Sequence, residues 1–80
     1  MKVEKLKDYI STGREIEFAF GDKSYSITYS YDGDKQTIFF CEFNQKSQKF
    51  DSIDVFLAEA MLDGYPLRKS IEWADNVIVY

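Results

Sequence analysis

The alternation of apolar and polar side chains is clearest between residues 14 and 43, where Arg14–Phe20, Tyr25–Tyr31 and Thr37–Phe43 read as three successive β-strands joined by tight turns. In the first, Ile16, Phe18 and Phe20 share one face and Glu15, Glu17 and Ala19 the other. Gly21-Asp22-Lys23 is the turn. In the second, Tyr25, Ile27, Tyr29 and Tyr31 oppose Ser24, Ser26, Thr28 and Ser30, and Asp32-Gly33-Asp34 carries a strong hairpin signal. The two aromatic faces must coincide if one core is to be built. The third run, Ile38-Phe39-Phe40-Cys41, is apolar on both sides. That pattern predicts the most buried strand, its second face covered by a helix or by a partner.

The flanks follow a helical period. Val3, Leu6 and Ile10 recur at i, i+3, i+7, which predicts an amphipathic N-terminal helix of about two and a half turns ended by Gly13. After a polar connection from Asn44 to Lys49, Asp51 is placed as an N-cap, Asp54 in the first turn, and Phe50 and Val55 as a hydrophobic staple. The helix is expected to run to Asp63 and stop at Gly64, burying Ile53, Phe56, Leu57 and Ala60. Val55 and Leu62 fall almost opposite that stripe, as a second apolar edge. Pro66 opens a second short helix with Leu67, Ile71 and Ala74 inward and Trp73 capping one side. Asp75-Asn76 turns the chain into Val77–Tyr80, a β-branched strand expected to pair with one of the meander strands. The fold expected is thus a single α+β domain, residues 1–80, of order α-β-β-β-α-α-β: a short N-terminal helix, a three-stranded antiparallel meander, one amphipathic helix, a second short helix and a short C-terminal strand.

Composition sharpens this picture. Seven Phe, six Tyr and one Trp give an 80-residue chain enough bulk for a dense core. The lone Cys41 excludes an internal disulfide and the absence of His removes the usual zinc ligands, so a reducing, cytoplasmic setting is expected. The charged start Met1–Asp8 is unlike a signal peptide, and no apolar run approaches the roughly 18 residues of a membrane span. The net charge is −4, and residues 51–80 hold six acidic side chains against only Arg68 and Lys69. This balance argues against direct nucleic-acid binding, which relies on clustered bases. The same balance also serves solubility alone.

The chemistry is sparse. Without His the commonest general base is missing, Cys41 sits mid-strand as a buried thiol, and Glu15 and Glu17, about 7 Å apart on one strand face, are read as a solvated pair. Asp32-Gly33-Asp34 lacks the later ligands of a calcium loop, and the four Gly are isolated rather than gathered into a phosphate loop. The tyrosine stripe has no basic fringe of the RNA-binding kind. No catalytic residue, cofactor or metal is expected, and the chain is read as a non-enzyme. The run Gly13-Arg14-Glu15-Ile16-Glu17-Phe18, Tyr25-Ser26-Ile27, Phe50-Asp51-Ser52 and Asp63-Gly64-Tyr65-Pro66-Leu67 resemble small single-domain proteins without assigned activity from Gram-positive bacteria, their phages and other mobile elements. The resemblance implies an accessory protein and carries over no site residue. A protein-interaction domain is the leading expectation, with Asp54, Val55, Glu59, Leu62 and Asp63 as its contact residues. Two other readings stand beside it: an acidic inhibitor that occupies a basic groove of a host nuclease or defence protein, and a self-associating homodimer.

Overall fold

The computed structural model describes residues 1–80. Its elements, in chain order, are α1 (Val3–Ser11), β1 (Ile16–Phe20), β2 (Lys23–Asp32), β3 (Lys35–Glu42), β4 (Gln48–Phe50), α2 (Ile53–Glu59), β5 (Met61–Leu62), β6 (Tyr65–Pro66), α3 (Leu67–Ser70), a 3₁₀ turn (Ile71–Trp73) and β7 (Asp75–Val79). Five strands form one antiparallel sheet in the order β4-β3-β2-β1-β7, and β5 and β6 form a separate small hairpin. The expected α+β order of helix, meander, helices and final strand is therefore the observed one, with three short strands, β4, β5 and β6, added to it. The final strand does pair with the meander, against β1.

Turn chemistry sets the register. Phe20 pairs with Lys23 and Asp32 with Lys35, so the loops are Gly21-Asp22 and Gly33-Asp34, each with Gly in the first central position at φ +64° and +62°. That is the requirement of a type II′ hairpin, whose twist matches the flanking strands. The pairings Ile16↔Ile27, Phe18↔Tyr25 and Ile27↔Phe40 then put the aromatic faces together. Phe18, Tyr25 and Phe40 stack with centroids 5.4 to 6.3 Å apart, and Phe56 of α2 meets Phe40 and Phe50 edge-on. Such offset and edge arrangements are the favoured ones for aromatic rings.

All the helices lie on that one face. Leu6 and Ile10 from α1, Phe56 and Leu57 from α2, Leu67 from α3 and Ile71 from the 3₁₀ turn close the core over Ile16, Phe18, Ile27, Ile38 and Phe40. The opposite face carries Glu17, Ser26, Thr28, Phe39 and Cys41, half-buried within the sheet, with Phe43 and Ile78 exposed beside them. Of the two covers expected for the second face of β3, a helix or a partner, the first is absent. No helix covers its second face, because the Asn44–Ser47 turn (Asn44 at φ +68°) returns the chain within the sheet as β4.

Candidate protein-interaction surfaces

The structure redraws the second half of the chain. Ser52, not Asp51, caps α2: its Oγ accepts from the Val55 N–H at 3.1 Å. The helix ends at Glu59, and Asp63-Gly64, at φ +51° and +85°, is the two-residue turn of the β5–β6 hairpin rather than a helix stop. Leu62 is consequently 0% exposed and belongs to the core. It is not a contact residue, and there is no second apolar edge made with Val55. Phe50 turns to Phe56 instead of Val55, which is left 37% exposed, so the expected staple does not form.

The remaining expected contact residues do not converge on one site. Asp54, Val55 and Glu59 are exposed along α2. Asp63 is engaged elsewhere, accepting from Lys23 Nζ at 3.2 Å, with Glu42 3.8 Å from the same ammonium. The Asp63 hydrogen bond and charge hold the Lys23 ammonium above its ordinary pKa. Beside this group Tyr25, Glu42, Gln45, Gln48 and Asp63 line a polar depression of about 220 Å³, onto which the buried Tyr25 hydroxyl looks without a hydrogen-bond partner. Burial, then the Glu42 carboxylate, raises that hydroxyl's pKa.

A different surface gathers the large apolar side chains. Trp73, expected to cap one side of the second helix, is 75% exposed: two positions past buried Ile71, it falls about 200–240° around the axis from it at 100–120° per residue, and so points away from the core. Tyr65, at the start of β6, is 62% exposed. Between them runs an open groove of about 320 Å³ lined by Phe20, Tyr65, Pro66, Lys69, Ser70 and Trp73. Phe20, placed in the core by alternation, is half-buried at the end of β1, packed against the core and also lining the groove. Ser70 is buried and donates to the Pro66 carbonyl at 3.0 Å, tying α3 to β6 and fixing the groove's floor. Lys69 gives the groove a cation, with Arg68 beside it turned toward the Leu57 and Ala58 carbonyls. The signal for this surface is present in the sequence as Tyr65-Pro66 and the single Trp, which the expected second helix uses as a cap on one side.

The other candidate chemistry is accounted for locally. Glu17 accepts a 3.0 Å hydrogen bond from the Tyr80 hydroxyl, and Glu15 pairs its carbonyl with the Tyr80 N–H. The Cys41 thiol is half-buried and lies near the Glu42 and Gln45 carbonyls. No three His, Cys, Asp or Glu side chains are grouped so as to hold a metal ion, and no helix is long and apolar enough to cross a membrane. What these elements define is an α+β domain with its helices on one face of an antiparallel sheet and an aromatic groove at one end. No protein-family model matches the sequence, and no curated protein or solved structure is significantly similar to it.

Proposed function

We propose that this chain is a non-enzymatic protein-interaction domain whose contact surface is the Tyr65–Trp73 groove. The observation that carries the reading is the exposure of the only Trp together with Tyr65 on either side of an apolar groove. Trp and Tyr dominate the energetics of protein interfaces, and both are withheld here from a core that could have used them. Lys69 in the groove and Arg68 beside it are the only bases among residues 51–80. The occupant is therefore an extended protein segment that sets an apolar side chain between Tyr65 and Trp73 and a carboxylate against Lys69. The lone free thiol fits a cytoplasmic setting, and the resemblance to proteins of Gram-positive bacteria and phages fits an accessory role.

Selection of displayed peptides on the folded protein tests this, with Trp73 fluorescence as the direct readout. Binders sharing an apolar residue flanked by Asp or Glu are expected, with a blue-shifted Trp73 emission. Trp73→Ala is expected to weaken them about 30-fold, the effect of a roughly 2 kcal/mol interface residue. Peptides retained equally by Trp73→Ala and Tyr65→Ala would overturn the assignment. The inhibitor reading rests on Asp54 and Glu59, which are exposed and in no ion pair. It requires basic binders, lost at high salt and on charge reversal of those residues. Charge reversal without effect would refute it.

A further inference from the structure

We infer that two copies of this chain associate through β7, pairing antiparallel about Ile78 so that the two sheets become one. The inference is independent of the groove. The two sheet edges differ in kind: β4 is only three residues long and carries Lys49, whereas β7 is a longer, β-branched run, Val77-Ile78-Val79, without Lys or Pro. An edge of the second type is a template for another strand.

Its backbone groups are correctly presented. The Tyr80 N–H donates to the Glu15 carbonyl at 2.9 Å, so Tyr80 and Ile78, two residues apart, turn their backbone groups toward β1. By the same alternation Val79 turns its groups outward; the proposed pairing has Val77 do the same, at the margin of the irregular stretch between Ile78 and Asp75. An antiparallel copy centred on Ile78 sets Val77 of each chain opposite Val79 of the other. These are hydrogen-bonded pairs, and two of them make four backbone bonds. Ile78 then meets its own equivalent as a non-hydrogen-bonded pair, the closer kind, at about 4.5 Å between Cα atoms.

The side chains are self-complementary in this register. Ile78 shares the open face with its partner Glu17 and is 49% exposed, so two such side chains cover each other. Val79 pairs with Ile16 and so lies with Val77 on the helical face, where each valine meets the other across the axis. The strand is isologous as it stands. Beyond the apolar centre, Asp75 of one copy reaches the end of the strand where Arg14 of the other is anchored on the Tyr80 carbonyl at 2.8 Å, an acid facing a base. The register irregularity of β7 lies between Ile78 and Asp75, where Asn76 has φ +52°, so Val77 adjoins it while Val79 and Tyr80 stand clear.

The test is sedimentation up to millimolar concentration, together with oxidative cross-linking of single-cysteine variants in a Cys41→Ser background. Mass is expected to rise toward twice the monomer value with concentration. Ile78→Cys is expected to form a covalent dimer, since about 4.5 Å between Cα atoms lies within disulfide range. Val77→Cys is expected to do so at least tenfold more slowly, its own equivalent standing about 8 Å away, beyond that range. Ile78→Lys should hold the protein monomeric with an unchanged circular dichroism spectrum, and Trp73→Ala should leave the dimer intact. A monomer at every concentration, equal cross-linking at positions 77 and 78, or a dimer abolished by Trp73→Ala would each overturn the inference.

Discussion

Leu62→Ala removes three carbon atoms from a side chain that is 0% exposed, at a place where the chain is only a two-residue strand. At about 0.8 kcal/mol per buried methylene the transfer cost alone is about 2.4 kcal/mol. The cavity left behind adds to it, within a usual range of about 2–5 kcal/mol for such truncations. The short β5–β6 hairpin sits on the core rather than inside the sheet, so it can settle toward the gap and place the cost near 3 kcal/mol. For a domain of this size that is a large share of the total, roughly 4–12 kcal/mol at 0.05–0.15 kcal/mol per residue. It corresponds to a fall in Tm of about 12–24 °C. Val55→Ala, at a residue 37% exposed, is expected to cost under about 1 kcal/mol. Urea denaturation followed by circular dichroism measures both, with the midpoint moving at constant slope for Leu62→Ala. Equal costs for the two variants, or a Leu62→Ala midpoint within about 0.5 kcal/mol of the parent, would refute the placement of Leu62 in the core.

Two further outcomes follow from particular contacts. Gly13 holds φ +72°, and a Cβ there would stand 2.5 Å from the Tyr31 hydroxyl, so Gly13→Ala should lower Tm. Adding Tyr31→Phe should recover only part of the loss, the backbone strain of about 1–2 kcal/mol remaining; full recovery would mean the φ is costless. Burial pushes the Tyr29 hydroxyl, which donates to the Arg14 carbonyl at 2.7 Å, well above its ordinary pKa. The folded chain keeps that proton where the unfolded chain releases it near pH 10, so the stabilisation is whole below about pH 10 and is lost as pH rises beyond it. Tyr25, Tyr80 and Lys23 are shifted upward too and act with the same sign. Tyr29→Phe should therefore flatten, without abolishing, the decline in urea midpoint between pH 9 and 11.5. An unchanged decline would remove burial of Tyr29 as its cause.

The meander was legible because period-2 alternation with aromatic residues on one face has a single solution once the turns are read from Gly21 and Gly33. What escaped was short or shared its signal with something else. Gln48-Lys49-Phe50 is a strand only because β3 offers it an edge, and three residues cannot show a period. Gly64 does adopt left-handed backbone as expected, but Asp63, expected at the helix end, adopts it too, and two such residues in succession make a hairpin turn rather than a helix stop. Asp51 and Ser52 are both good caps by type, and only the geometry of α2 selects Ser52. The groove escaped for a related reason: the inward stripe of Leu67 and Ile71 is real, but Trp73 lies well round the axis from it, and spacing alone does not say whether a neighbouring element covers a side chain placed there.

The position of β1, between a neighbour reached by a two-residue turn and one reached from the far end of the chain, divides the sheet into parts with different lifetimes. The β1–β2–β3 pairings close small loops, whereas β1–β7 joins Ile16 to Val79, and each doubling of a loop adds about 0.6 kcal/mol of closure entropy. Amide hydrogen exchange will accordingly run faster at the β1–β7 ladder than in β2 and β3, with β7 detaching as a unit before the meander opens. Each such detachment exchanges one sheet edge for another. The strand then facing solvent is β1, with Phe18 and Ile16 along it, so β7 acts as the removable rim that keeps these core residues' strand from pairing with a stranger.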